Sequence, residues 1–107
     1  TQPYSGGLTT CEALHMGVPT VTFPGKTFAG RHATSYLSNL GLTDFISANL
    51  TSYIDLALHW ATRPTDLANL RSELRNRLHL SPLCNSHQFA HDFLHLLTTA
   101  HQSKLAR

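Results

Sequence analysis

Charge is scarce in this 107-residue chain, in which Asp, Glu, Lys and Arg make up only 13% of the residues, about half the usual share of a globular domain. Eight Lys and Arg against six Asp and Glu leave a formal net charge of +2 without any basic cluster, so a phosphate-tracking nucleic-acid surface is not expected. No apolar run approaches the roughly 18 residues of a membrane span, and no charged-then-apolar leader opens the chain. Cysteine is also sparse. Cys11 and Cys84 form neither a CxxC nor a metal-finger spacing, the pattern of reduced thiols in a cytosolic protein. What is present is a 41% hydrophobic content, enough for one modest core. The opening residues from Thr1 to Gly7 have loop character and no initiator Met, so the chain is expected to continue from a segment upstream.

Apolar spacing and breakers give the order of elements. Residues 9–16 have a helical pattern that stops at Gly17, with Pro19 beyond. Residues 18–23 are rich in β-branched side chains and end at Pro24-Gly25, predicting a short strand. Phe28, Ala29, Ala33, Tyr36, Leu37 and Leu40 form a helical stripe stopped by Gly41. Residues 45–48 suit a brief buried strand, and Tyr53, Ile54, Ala57, Leu58 and Ala61 a helix that Pro64 ends. Leu67, Leu70, Leu74 and Leu78 line one face of a further helix, with Arg71, Arg75 and Arg77 on faces expected to meet water. Phe89, Phe93, Leu96 and Leu97 predict a C-terminal helix, followed by a fraying tail over residues 103–107. The expected class is α/β, with short parallel strands covered by helices and the rest of the sheet lying upstream.

Chemistry concentrates at Gly6-Gly7-Leu8-Thr9-Thr10-Cys11-Glu12. A glycine turn opening a helix leaves unpaired backbone N–H groups at the positive end of the dipole, which suits phosphate oxygens. Thr9 and Thr10 add hydroxyl donors, and Glu12 can accept hydrogen bonds from a ribose diol. The same residues also spell a capping box, Thr9-x-x-Glu12, and the sequence leaves both readings open. Gly25-Lys26-Thr27 ends like a Walker motif, but Thr20 stands where that motif requires Gly, which removes the phosphate cradle. His87, His91 and His95 recur every fourth residue without a carboxylate cluster or paired cysteines, so a polar stripe is expected there and no metal site. His15 is expected to pack at the end of the first helix. Asn49-Leu50-Thr51 matches an N-glycosylation sequon, a pattern short enough to recur by chance.

Pro3-Tyr4-Ser5-Gly6-Gly7-Leu8-Thr9-Thr10-Cys11-Glu12-Ala13-Leu14, Met16-Gly17-Val18-Pro19-Thr20-Val21-Thr22, Gly25, Arg31, Leu40-Gly41-Leu42 and Ser81-Pro82-Leu83-Cys84-Asn85 together resemble the C-terminal catalytic region of O-linked N-acetylglucosamine transferases and their SPINDLY-type relatives. The resemblance implies that residues 1–107 are the C-terminal part of a Rossmann-like, donor-binding GT-B domain. In the intact parent, a cytoplasmic enzyme with an upstream tetratricopeptide superhelix, a UDP-sugar would donate its sugar to a protein Ser or Thr with inversion and without a metal. By motif match, Gly7, the Leu8 backbone, Thr9 and Thr10 hold the diphosphate and Glu12 the ribose. Catalytic groups, uracil contacts and a diphosphate-gripping lysine belong upstream, so the isolated chain should not catalyse transfer. Relatives carry Thr where this chain has Leu8, which removes one hydroxyl. The resemblance therefore also admits a catalytically silent nucleotide-binding or protein-docking module on the same fold.

Overall fold

The computed structural model describes residues 3–107. Among the described residues five α-helices alternate with short turns: α1 (Leu8–His15), α2 (His32–Asn39), α3 (Leu50–Ala61), α4 (Pro64–His79) and α5 (Ser86–Leu105). Single 3-10 turns cover Phe28–Gly30, Thr43–Phe45 and Pro82–Cys84. Leu14, Leu37, Leu40, Leu42, Phe45, Leu74 and Leu78 form the core, where α1, α2 and α4 meet the 3-10 turn that carries Phe45. Phe45 stacks on Trp60 of α3 at 4.6 Å between ring centroids, which closes one side of that core.

The expected short parallel strands are not formed among the described residues. Their places are taken by two extended segments joined by one parallel bridge, Thr22 to Ile46. Thr22 N–H donates to the Phe45 carbonyl at 2.9 Å and Ser47 N–H to the Thr22 carbonyl at 2.8 Å. The Ser47 hydroxyl adds a third bond to the Thr22 carbonyl at 2.9 Å. Pairing stops there for local reasons. Pro19 and Pro24 remove backbone donors on either side of Thr22, and the Thr43–Phe45 turn takes up the start of the second segment. The direction of the pairing is as expected, but its extent is one residue.

Helix boundaries moved where breakers act differently from their usual effect. Gly30 splits the expected 28–40 helix into a 3-10 turn and α2. Its backbone packs so closely on Gly25 that a Cβ on Gly30 would sit 3.1 Å from the Gly25 Cα. Pro64, expected to end a helix, begins α4, because proline at the first helical position lacks only an N–H that would be unpaired anyway. The C-terminal helix runs through to Leu105, so most of the expected fraying tail is helical. The sequon asparagine, Asn49, caps α3 by accepting the Ser52 N–H at 2.9 Å.

The arginines of α4 do not simply face water. Arg71 Nε donates to the Gly17 carbonyl at 2.8 Å and Arg75 Nε to the His15 carbonyl at 2.7 Å. Arg77 reaches the carbonyls of Leu40 and Gly41 at 2.8 and 3.1 Å. These guanidinium groups satisfy the carbonyls left over at the ends of α1 and α2, where the helix dipole is negative. Gly17 has φ 75° and would place a Cβ 3.0 Å from the Arg71 carbonyl. Gly17→Ala is expected to lower stability by about 1–2 kcal/mol through left-handed backbone strain, read as a shift in urea midpoint.

Candidate functional site

Gly7 is the N-cap of α1, and no side chain caps this helix. Leu8 is therefore the first helical residue, Thr9 the second and Glu12 the fifth, a register in which a Thr9–Glu12 capping box cannot close. The N–H groups of Thr10 and Cys11 both donate to the Gly7 carbonyl, at 3.0 and 3.3 Å. Those of Leu8 and Thr9 have no acceptor within the helix and, as at any helix start, project from its N-terminal end.

The loop before α1 is held in place by Ser5. Its N–H donates to the Ala29 carbonyl at 2.7 Å, and its buried hydroxyl accepts the Ala33 N–H at 3.0 Å. The start of α2 thus anchors the start of α1. Gly6 lies so close to the Thr10 hydroxyl that a Cβ there would collide with it. The result is a cleft of 540 Å³ lined by Gly6, Thr9, Thr10, Thr20, Thr22 and Tyr53, among others. Its hydroxyl-bearing residues are interleaved with the apolar Val21, Phe23, Ala33 and Leu50, and the amino end of α1 forms one edge.

The five expected site residues are not equivalent in this setting. Thr9 is exposed and lines the cleft. Thr10 lines it too, although the residue is only 8% accessible. Gly7 is partly exposed at the helix start, while Leu8, 75% exposed, and the exposed Glu12 lie on α1 outside the cleft lining. Ser5, Thr20 and Thr22, none of them singled out from sequence as site residues, complete the cleft wall. The only sequence signal for these three was a hydroxyl beside a glycine turn or within a β-branched run. Lys26 of the rejected Walker-like segment is exposed in the turn before Phe28–Gly30.

The histidines lie elsewhere. His15 meets His79 of α4 at 5.4 Å between ring centroids, which agrees with packing at the end of α1. On α5, His91 Nδ1 is 3.3 Å from Asp92, whose carboxyl is held below its ordinary pKa first by His91 and then by Gln88. No group of three or more metal-ligating side chains forms among the described residues.

Beyond the site's first turn, burial pushes the Cys11 thiol above its ordinary value of 9.0. A hydrogen bond from Tyr36 opposes that shift, and the charges of Cys84 and Glu12 add to it. Tyr36 is raised as well, first by burial and then by Cys11. Both groups hold their protons more tightly folded than unfolded. Their contribution to stability is complete below the unfolded pKa values and is lost as pH rises through the raised ones. The denaturation midpoint should therefore fall as pH rises past the ordinary thiol value of 9.0, and Cys11→Ala should flatten that fall; equal slopes in both proteins would contradict it.

The model of glycosyl transferase family 41 matches residues 1–93. A SPINDLY protein of Petunia hybrida, described as a probable UDP-N-acetylglucosamine–peptide N-acetylglucosaminyltransferase, is 44% identical over 89 residues, 83% of this chain and 10% of its own. A UDP-N-acetylglucosamine–peptide N-acetylglucosaminyltransferase of Caenorhabditis elegans is 32% identical over 93 residues, 87% of this chain and 8% of its own. The chain thus spans about a tenth of the length of the curated relatives it matches. Among solved structures, a K341M mutant of the O-GlcNAc transferase of Thermobaculum terrenum superposes with a TM-score of 0.69 at 46% identity, covering 74% of this chain and 15% of that one. By sequence and by fold, the chain belongs to glycosyl transferase family 41.

Proposed function

We propose that this chain supplies the diphosphate- and ribose-binding side of the donor site in a UDP-sugar-dependent protein O-glycosyltransferase, as part of a Rossmann-like GT-B domain. The observation that carries this reading is the uncapped start of α1 at the edge of a cleft whose wall includes the hydroxyl residues Ser5, Thr9, Thr10, Thr20 and Thr22. In an N-terminal turn closed by its own Thr and Glu, those groups would be occupied. Here Thr9 and the N–H groups of Leu8 and Thr9 remain available to phosphate oxygens. To Glu12, one turn further on, exposed and outside the cleft lining, this reading assigns acceptance from a ribose diol as the sugar-nucleotide crosses the helix start.

In the full reaction a protein Ser or Thr hydroxyl attacks the anomeric carbon of the donor, the bond to UDP breaks, and the sugar inverts. Negative charge develops on the departing diphosphate. The positive end of α1 and its unpaired N–H groups stabilise that charge more in the transition state than in the ground state, the condition for lowering the barrier. UDP-N-acetylglucosamine is the donor in the names of the relatives, and we carry it over as the donor here.

Titrating the isotope-labelled chain with UDP tests the placement. The amide signals of Gly7, Leu8, Thr9, Thr10 and Glu12 are expected to shift together, with those of the exposed α5 face unchanged. Shifts confined to other elements would overturn it. A second reading, a silent binding or docking module, draws on Leu8, an exposed apolar side chain on the first turn of α1. It predicts UDP binding by an intact parent without sugar transfer to an acceptor peptide.

A further inference from the structure

We infer that α5 is a self-association surface, along which two copies of this chain pair antiparallel through Phe89, Phe93, Leu96 and Ala100. Residues 82–107 are all exposed, and α5 buries none of its 20 residues. Its main packing within the chain is on the adjoining Pro82–Cys84 turn. A helix in a folded protein draws most of its stability from a packed apolar face, yet on α5 that face meets water. Phe89, Phe93, Leu96 and Leu97 are between 50% and 66% exposed. Beside the first three runs a groove of 710 Å³, whose other wall includes Ser35 and Asn39 of α2.

The face is complementary to its own copy. Steps of four, three and four residues from Phe89 through Phe93 and Leu96 to Ala100 keep one seam along a helix. Antiparallel pairing about a two-fold axis between Leu94 and His95 sets Phe93 of each copy against Leu96 of the other, and Phe89 against Ala100, a large ring opposite a small side chain at both ends. The Phe89 and Phe93 rings already lie nearly parallel, 5.7 Å between centroids and 11° between planes, so they present one step to a neighbour. Asp92 and Lys104 are the only Asp, Glu, Lys or Arg residues of α5, so little charge has to leave water. Area sets the strength. If a fully exposed Phe or Leu presents about 200 Å², the four half-exposed side chains offer roughly 450 Å² per copy, so about 900 Å² for the pair before Ala90, Ala100 and the polar margins are counted. A specific interface needs about 1,000 Å². The seam thus reaches the lower end of what holds a dimer, and the chain should be a monomer at about 1 µM and mainly a dimer at about 500 µM.

Sedimentation equilibrium of the full chain over that concentration range tests the pairing, in reducing buffer so that the exposed Cys84 cannot link copies covalently. The apparent mass should rise from the 11.8 kDa of one chain to about twice that value. Phe93→Glu should weaken association at least about tenfold, since it puts two carboxylates into the centre of the seam, with circular dichroism confirming that the variant is folded. Leu105→Glu, which the helical period places on another side of α5, should dimerise as wild type does. In a sample mixing isotope-labelled and unlabelled copies, intermolecular nuclear Overhauser effects should join the Phe93 ring to the Leu96 methyls and the Phe89 ring to the Ala100 methyl. A single-chain mass for the wild type at the highest concentration would overturn the proposal, and so would intermolecular contacts confined to other elements. A monomer whose α5 amides gain protection from hydrogen exchange only when the chain is joined to the remainder of its catalytic region would overturn it too, and would assign the face to that longer polypeptide. The wild-type measurements decide this without reliance on either variant.

Discussion

Replacing Leu14 with alanine is expected to destabilise the fold by about 3–5 kcal/mol, the upper range for truncating a buried leucine. Leu14 is 0% accessible, on the α1 face that packs against α4, and belongs to the core with Leu37 and Leu74. Removing three carbons there leaves a cavity between two helices whose separation is also set by Arg71 and Arg75 reaching the end of α1. Collapse to fill it would strain those bonds, so relaxation is limited. A loss of this size is a large part of the 5–15 kcal/mol that typically holds a domain folded. Leu96 provides the contrast. It is 62% exposed on α5, and Leu96→Ala should change stability by no more than about 0.5 kcal/mol. Urea midpoints of the two variants make the comparison, and similar shifts would mean that the core is not where α1 and α4 meet.

The second large effect concerns donor binding. In a polypeptide that carries this chain with the remainder of its catalytic region, Thr9→Val is expected to weaken UDP affinity about tenfold to a hundredfold. A hydrogen bond to a charged group contributes about 1.5–3 kcal/mol, and each 1.4 kcal/mol is about a factor of ten. Valine keeps the shape of threonine, and Thr9 is exposed, so the change isolates the hydroxyl. Glu12→Gln is expected to weaken UDP while leaving the affinity for inorganic diphosphate unchanged, because its role is at the ribose. Calorimetric titration reads both. If Thr9→Val binds UDP as wild type does, the helix start does not hold the diphosphate. The capping box would not rescue the assignment, since Gly7 already occupies the N-cap.

Much of the architecture could be read along the chain because each helix carries its own punctuation. Gly17 and Gly41 stop α1 and α2, both with positive φ, and the Leu70–Leu74–Leu78 spacing selects the buried face of α4. Strands were harder. The β-branched run around Thr22 has the composition of a strand, but a strand exists only through its neighbours, and the described neighbour offers a single bridging residue. Proline at position 64 shows the same limit from the other side. The residue is compatible with ending one helix or starting the next, and only packing decides which.

The candidate site divides along similar lines. Glycines before two threonines, at the start of a helix, mark a place for an anion by composition and order alone, since backbone N–H groups at a helix start are a local property. Whether Thr9 and Glu12 turn inward to cap that helix depends on where its first turn begins, and the anchoring of Ser5 to α2 accompanies a start one residue earlier than the periodicity gave. The cleft wall of Ser5, Thr20 and Thr22 comes from separate segments of the sequence. The amino-acid order by itself determined the helices, their apolar faces and the position of the glycine turn, because these follow from neighbours within one or two turns. The tertiary structure alone decided which hydroxyls surround that turn, which carbonyls the α4 arginines cap and how far the extended segments pair, because each of these requires contact between elements that local spacing does not encode.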